Sequence, residues 1–189
     1  QIKIYNWGGN LLWSYILSEQ YYQHHHDIAV LENGNFLVIA WERLYYNEWS
    51  DLGRQSVDNS LYQMWMTAIF EISPDLNTSN EYELVWEWHI KDHVIQDINE
   101  EYSSIYGTIS EHPELMNINQ GCVGCTPGPL GLSDNADWMH INSIDYNEEL
   151  DHIIISSRYQ NEIYIIDHST TSEEAATHSG GNSGKGGDF

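Results

Sequence analysis

Residues 25–40 read HHDIAVLENGNFLVIA, and this stretch decides the fold class. Two apolar runs, Ile28–Val30 and Phe36–Ala40, flank the tetrapeptide Glu32-Asn33-Gly34-Asn35. Because both residues of an Asn-Gly pair can take positive φ, this arrangement predicts an antiparallel hairpin. Helical periodicity is scarce elsewhere, and further short runs of strand type occur at Thr67–Ile72, Leu84–Trp88, Ile153–Ser157 and Glu162–Ile166. We therefore expect an all-β fold.

An internal repeat narrows the choice among all-β folds. A segment that begins at His140 and returns through Ile153–Ser157 resembles the one that begins at His25 and returns through Phe36–Ala40. With one residue inserted in the second turn, His25 aligns with His140, and Asp27 aligns with Asn142. Repetition of one hairpin type at this spacing is typical of a sandwich, a barrel or a propeller.

A second hairpin type alternates with the first. Ile69–Asp75 leads into Leu84–Trp88, Ile2–Asn10 leads into Leu11–Tyr15, and Glu162–Asp167 resembles the first half of another copy. Two hairpins per unit make a four-stranded propeller blade. We therefore expect residues 1–189 to form a single partial β-propeller segment of roughly two to three blades. A circular propeller has at least four blades, so we expect a fragment that further sequence or a second chain completes.

Two long segments, at about 42–66 and 89–137, are inserted between the predicted strands. Loops of this length in a compact domain are usually functional or disordered, and their Trp, Tyr and Ile content favours ordered packing. The aromatic residues near them fit either an aromatic-substrate pocket or the packing of blades, and the sequence leaves both open; they are Trp41, Tyr45, Tyr46, Trp49 and Tyr62.

Charge excludes several classes of partner. Six Lys and Arg stand against 29 Asp and Glu, a formal charge of −23. Nucleic acids and anionic membrane surfaces need clustered basic residues, so neither is an expected partner. Apolar residues make up 41% of the chain, which is enough for a core, yet no apolar run is long enough for membrane insertion. No leader of the secretory type is visible at the N-terminus, so we expect a soluble acidic protein from which any signal peptide is absent or removed.

The ordered motifs resemble the arylsulfate sulfotransferases of bacteria. The resemblance rests on His25-His26-Asp27 with the turn that follows, on Asp137-Trp138-Met139-His140-Ile141-Asn142-Ser143, and on Ile155-Ser156-Ser157-Arg158 with the strand Glu162–Asp167. The closing Gly184–Phe189 is similar to one branch of that family. The resemblance covers nearly the whole chain but about half of the family's length.

The resemblance implies a fold and a reaction. It implies a six-bladed propeller, periplasmic or extracellular, with the active site at the central channel. It implies transfer of a sulfuryl group from an aryl sulfate donor to a phenolic acceptor through a sulfohistidine intermediate. The histidine that forms this intermediate has no match here, so we expect it to follow Phe189 and expect this segment alone to be inactive. No cofactor is implied.

Site residues follow from the matched motifs. His140 and Arg158 match the family's second sulfate-binding histidine and its arginine, while His25 or His26 matches the first histidine. The repeat favours His25, and side chains alternate along a strand, so His25 should face away from its two neighbours. Guanidinium and imidazole groups suit sulfate oxygens and a leaving phenolate. Asn142 and Trp138, beside His140, are predicted to contact the substrate.

The sequence gives less support to a metal site than to a sulfate site. Cys122 and Cys125 form a Cys-x-x-Cys pair without a second pair for zinc, so a local disulfide is the expectation. Adjacent histidines on a strand do not converge on one metal, and the sequence therefore predicts no metal-ligand set. The acidic segments Asp97–Glu101 and Asp134–Asp137 leave a structural calcium ion open, without an EF-hand pattern.

A second function stays open at this point. Fold does not fix function, and a secreted acidic propeller can instead be a non-catalytic module for binding, adhesion or assembly. A histidine in the channel beyond Phe189 would favour the enzyme, and its absence would favour the binding module.

Overall fold

The computed structural model describes residues 1–125 and 135–189, in which strand predominates over helix, 41% against 9%. The strands are β1 (Ile2–Tyr5), β2 (Leu11–Tyr15), β3 (Tyr22–Val30), β4 (Phe36–Leu44), β5 (Met64–Pro74), β6 (Tyr82–His89), β7 (Val94–Gln96), β8 (Ile105–Tyr106), β9 (Met116–Asn117), β10 (Ile141–Asn147), β11 (His152–Ser157) and β12 (Glu162–Asp167). The helices are α1 (Tyr46–Asp51) and α2 (Ser172–Ala175), with 3-10 turns at Ile90–His93 and Ile109–Glu111. Neither α-helix in this part of the chain has the length and apolar character needed to cross a bilayer. The all-β expectation is confirmed.

Antiparallel sheets follow the predicted hairpins. Strands β3 to β6 form a four-stranded sheet in chain order, β1 pairs with β2, and β10 to β12 form a three-stranded sheet. The hairpin between β3 and β4 is confirmed, with Ile28 opposite Val38 and Val30 opposite Phe36. In its turn Gly34 has positive φ, at 90°, and the backbone N–H of Leu31 donates to the carbonyl of Asn35.

Three sheets stack as layers around the central strand β4. Residues 36–40 are at most 3% exposed, so this strand is buried on both faces. Phe36, Val38 and Ala40 pack on one side against β2 residues such as Trp13. Leu37 and Ile39 pack on the other side with the isoleucines of the three-stranded sheet. The sheets do not close into a barrel among the described residues.

The described residues of the two inserted segments, 42–66 in the first and 89–125 with 135–137 in the second, dock on each other. The Arg54 guanidinium of the first donates to the carbonyls of Ile118, Gln120 and Gly121 in the second, at 2.8, 3.1 and 2.9 Å. Burial lowers the pKa of Arg54 to about 10, which leaves it charged at neutral pH. Within the second insert, β8, β7 and β9 form a small parallel sheet that the hairpin pattern did not predict.

Candidate functional site

Two β-bulges bring the histidines together. Strand β3 leaves its regular pairing between His24 and Ile28, and β10 does so between Ile141 and Ser143. The backbone turns to positive φ at His26 (51°) and His140 (50°). Bulges redirect side chains, and non-glycine residues seldom adopt positive φ outside sites that enforce it. The two rings consequently lie 4.7 Å apart, centroid to centroid, in an edge-to-face arrangement.

The bulges also decide which histidine corresponds to His140. The bulge of β3 contains two extra residues, because four steps from His24 to Ile28 oppose two from Ala40 to Val38. The bulge of β10 contains one extra residue by the same comparison. The residues with positive φ in or beside these bulges are His26 and His140, so His26 is the conformational counterpart of His140, whereas counting along the sequence pairs His140 with His25.

His25 lies behind His26 as a supporting ring. It stacks on Trp41 of β4, with centroids 4.2 Å apart and planes inclined by 18°. Its Nδ1 lies 2.8 Å from Nδ1 of His26. Burial, followed by the proximity of His26 and His140, lowers the pKa of His25 to about 3. Burial, followed by the nearby His140, also lowers the pKa of His26, and Arg158 adds to this effect. A neutral His25 follows at physiological pH.

The hydrogen-bond network assigns the tautomers of these rings. His25 Nε2 is buried and has no hydrogen-bond partner within residues 1–125 and 135–189. A buried N–H without an acceptor is the rarer and costlier arrangement, so the His25 proton belongs on Nδ1. That proton is donated to Nδ1 of His26, whose own proton then resides on Nε2. His26 thereby presents an N–H donor on the nitrogen away from His25.

Asp137 fixes the orientation of His140. The Nδ1 of His140 lies 2.7 Å from one carboxylate oxygen, and the backbone N–H of His140 donates to the other at 3.0 Å. Asp137 is only 3% exposed and forms a β-bridge with Trp65 of β5. With Nδ1–H donated to the carboxylate, Nε2 is the nitrogen that faces a ligand. The sequence pointed to this aspartate only as part of the matched motif; its signal is an acid three residues before the histidine.

Arg158 and Tyr159 complete the cluster at the end of β11. The backbone N–H of Arg158 donates to the carbonyl of His140 at 3.2 Å, which holds the two residues side by side. The guanidinium carbon of the exposed Arg158 lies 5.7 Å from the centroid of the Tyr159 ring. That ring lies 4.9 Å from the His140 ring. A cationic fork and two histidines thus share one surface, which suits an anion with several oxygens.

The remaining predicted site residues occupy different places. Asn142, two residues after His140, is exposed at the bulge of β10. Trp138 is 1% exposed and donates from Nε1 to the carbonyl of Gln120 at 2.8 Å, so it packs beneath the cluster. The structure therefore brings His26, His140 and Arg158 together, with His25 behind them and Trp138 in the core.

The cysteine loop lies outside this cluster. Cys122 and Cys125 are joined as a disulfide, with Cα atoms 5.6 Å apart. The carbonyl of Val123 accepts the backbone N–H of Asp58 at 2.6 Å, which fastens the loop to the first insert. Of the two acidic segments considered for calcium, Asp134 lies outside the described residues, while Asp137 is engaged by His140.

Comparison with known protein families gives a match that covers all of the sheets. The family model described as "Arylsulfotransferase (ASST)" matches residues 1–173, which span all twelve strands and the histidine cluster. Neither the curated proteins nor the solved structures gave a match. Because the family match covers far more than half of the 189 residues, the chain belongs to the arylsulfotransferase family.

Proposed function

We propose that this chain supplies the sulfate-binding cradle of an enzyme that transfers a sulfuryl group from an aryl sulfate to a phenolic acceptor. The observation that carries the proposal is the convergence of His26, from the bulge of β3, with His140, just before β10, and Arg158, just after β11. The nucleophilic histidine of the sulfohistidine intermediate would lie outside the residues described. The three stacked sheets would be blades, or parts of blades, of a propeller that further residues or a second chain complete.

The cradle would act mainly by positioning and by charge stabilisation. Sulfuryl transfer resembles phosphoryl transfer, in which catalysis depends mainly on positioning the reactants and stabilising the charge on the non-bridging oxygens. The guanidinium of Arg158 offers a planar pair of donors for two oxygens, and Nε2–H of His26 offers a third donor. A neutral His26 suits this task because it donates without adding a second positive charge beside Arg158.

The Asp137–His140 pair would handle the proton. When the S–O bond to the aryl group breaks and the S–N bond to the nucleophilic histidine forms, the leaving phenolate takes a proton from Nε2 of His140. In the second half-reaction His140 removes the proton of the acceptor phenol while the S–N bond breaks. The buried Asp137 carboxylate stabilises the imidazolium form of His140, which starts the first half-reaction and is restored by the second; between them the ring is neutral.

A compartment outside the cytoplasm fits the same proposal. Disulfides such as Cys122–Cys125 persist in oxidising environments, and we propose a periplasmic or extracellular location. The donor and acceptor would then be small aromatic sulfates and phenols in that space.

The test is turnover of a chromogenic aryl sulfate by the complete protein, with a phenolic acceptor present. We expect His140→Ala and Arg158→Ala to lower kcat/KM about 100-fold to 10,000-fold, the range for removed general acids and charge-stabilising donors. His112→Ala is the matched control, because His112 also pairs with a carboxylate, that of Glu114 at 2.9 Å, outside the cluster. Equal turnover in all variants would contradict the assigned roles. No turnover in the complete wild-type protein would instead favour the binding or assembly module.

A further inference from the structure

A second cluster of ligand-type side chains lies away from the sulfate cradle. It consists of His93, His178 and Asp188, whose candidate ligand atoms all lie within 4.8 Å of one another. His93 is fully buried, Asp188 is 6% exposed, and the His178 side chain is 42% exposed. Nδ1 of His93 and Nδ1 of His178 lie 2.7 and 2.8 Å from the same oxygen, Oδ1 of Asp188.

The surrounding fold holds His93 rigidly. It ends the 3-10 turn after β6, and its ring stacks on Trp88 with planes inclined by only 3°. Gly187 lies against the other side, since an added Cβ there would be 2.6 Å from Nε2 of His93 and 2.1 Å from the carbonyl of Ala175. Only glycine permits the backbone to approach this closely. The carbonyl of Gly187 also accepts a hydrogen bond from the indole Nε1–H of Trp88 at 2.7 Å.

Proton accounting shows that the cluster needs a shared proton or a metal ion. Nε2 of His93 lies 2.8 Å from the carbonyl oxygen of Ala175, which can only accept, so Nε2 carries a proton. In a neutral ring Nδ1 then bears a lone pair, and this lone pair faces a carboxylate oxygen of Asp188 at 2.7 Å. Two acceptors at this separation require a shared proton or a metal ion between them.

We propose that His93, His178 and Asp188 form a binding site for a divalent transition metal of the zinc type. Two imidazole nitrogens and one carboxylate oxygen are a ligand set that zinc prefers. The hydrogen bond from Nε2–H of His93 to a carbonyl is the outer contact that commonly orients a metal-binding histidine. The exposed side of His178 leaves the fourth position of a tetrahedral site to water.

Metal binding would require a small local adjustment. Tetrahedral zinc with bonds of about 2.0–2.1 Å holds its ligand atoms about 3.3 Å apart. The observed separations of 2.7 and 2.8 Å would therefore open by about half an ångström, a movement that the exposed His178 can make. The ion would join the end of β6 to residues 178–188, which follow α2, across about 95 positions of sequence.

The experiment measures zinc bound to the full chain after removal of any affinity tag and of all metal. We expect one zinc ion per chain by equilibrium dialysis and elemental analysis, with a rise in the midpoint of thermal unfolding. Cobalt in the same site should give the visible absorption bands of tetrahedral coordination. His178→Ala and Asp188→Asn should abolish the stoichiometric zinc, while His112→Ala, another histidine paired with a carboxylate, should retain it.

Two outcomes would overturn the proposal. One is the absence of stoichiometric zinc in the wild-type chain, which would leave a shared proton between His93 and Asp188. The other is zinc retained equally by His178→Ala, as metal held by the histidine run at 24–26 would be. Because His178 is exposed, we expect His178→Ala to fold, and circular dichroism checks that it does. If Asp188→Asn does not fold, zinc binding by His178→Ala alone tests the proposal.

Discussion

Asp137 acts on the candidate site through one neighbour, since both of its carboxylate oxygens are taken up by His140. In Asp137→Asn the oxygen that accepts the backbone N–H remains, but an amide N–H now faces Nδ1 of His140. Nδ1 must then accept, and the ring proton moves to Nε2. We expect kcat to fall about 10-fold to 100-fold, the usual cost of losing an orienting partner. Aryl sulfate turnover as a function of pH measures this, because a mere packing defect would lower activity without changing the profile.

Asp145→Asn is the control for that substitution, because Asp145 lies in β10 with its carboxylate on the neighbouring backbone N–H of Tyr146. An unchanged pH profile in Asp137→Asn, or the same change in Asp145→Asn, would contradict the orienting role.

The protonation of His168 makes the stability of the fold depend on pH. Burial alone would lower its pKa, but hydrogen bonds to Glu71 at 3.0 Å and Asp151 at 2.9 Å raise the pKa above its usual 6.5. A raised pKa in the folded state stabilises the protein below the unfolded pKa, and this stability is lost as the pH rises through the folded value. We therefore expect the free energy of unfolding to decrease above pH 6.5. His168→Gln should flatten this decrease in urea titrations at several pH values, and identical slopes in both proteins would contradict it.

At the scale of elements, the bulge of β3 is a strained segment whose cost can be measured. His26 has φ of 51°, a conformation that costs a non-glycine residue about 1–2 kcal/mol. We expect His26→Gly to be more stable than His26→Ala by about 1 kcal/mol in denaturant unfolding. At His25, which is not in this conformation, the order should reverse because glycine weakens a strand. The same order at both positions would argue against strain at the bulge.

The close docking of the cysteine loop can be tested by comparing the stability of alanine variants at two glycines. A Cβ at Gly124 would lie 2.1 Å from the carbonyl oxygen of Asp58, whereas one at Gly34 would meet nothing within 4 Å. Both have positive φ, 98° and 90°, so both alanine variants carry the backbone strain. Gly124→Ala adds a steric clash, and we expect it to be less stable than Gly34→Ala by about 1–3 kcal/mol. Thermal and urea unfolding of the two variants test this, and equal losses would contradict the close docking.

Local signals explain which elements could be predicted. The strands and hairpins were predictable because alternating apolar residues and turn residues are contained within a few positions, as in residues 25–40. The choice between His25 and His26 was not, because it depends on a bulge with two extra residues that only pairing with β4 reveals. The parallel sheet of β7, β8 and β9 escaped for a related reason, since strands of two or three residues carry no periodicity.

For the whole molecule, the layered arrangement predicts an order of opening. Strand β4 is buried on both faces, whereas β12 is an edge strand on which Ile163 and Ile165 are 65% and 52% exposed. We expect amide hydrogens of β4 to exchange slowest and those of β1 and β12 fastest, because exchange follows local burial. Hydrogen exchange with mass spectrometry measures this on the chain. Equal protection of β12 and β4 would contradict the order in the chain alone, and in a complete protein it would show that another strand pairs with β12.

Long-range features of the molecule lay beyond what the sequence could predict. The approach of His93 to Asp188 spans 95 positions, and the bond from Arg54 to Gly121 spans 67. No local pattern marks either partner, because each contact exists only after the sheets have packed. Family resemblance located the cradle residues, but it did not indicate the second histidine cluster.

The hydrogen bonds that Arg54 makes between the two inserts have a consequence for protein engineering. Its guanidinium is satisfied by carbonyls from a different insert, and Asn119 Nδ2 of that insert donates to the carbonyl of Gly53 in return. The two inserts therefore form one transplantable unit rather than two independent loops. Replacing residues 42–66 alone by a segment without an arginine at position 54 would leave the carbonyls of Ile118, Gln120 and Gly121 without this donor. Loop grafting in this scaffold should move both segments together.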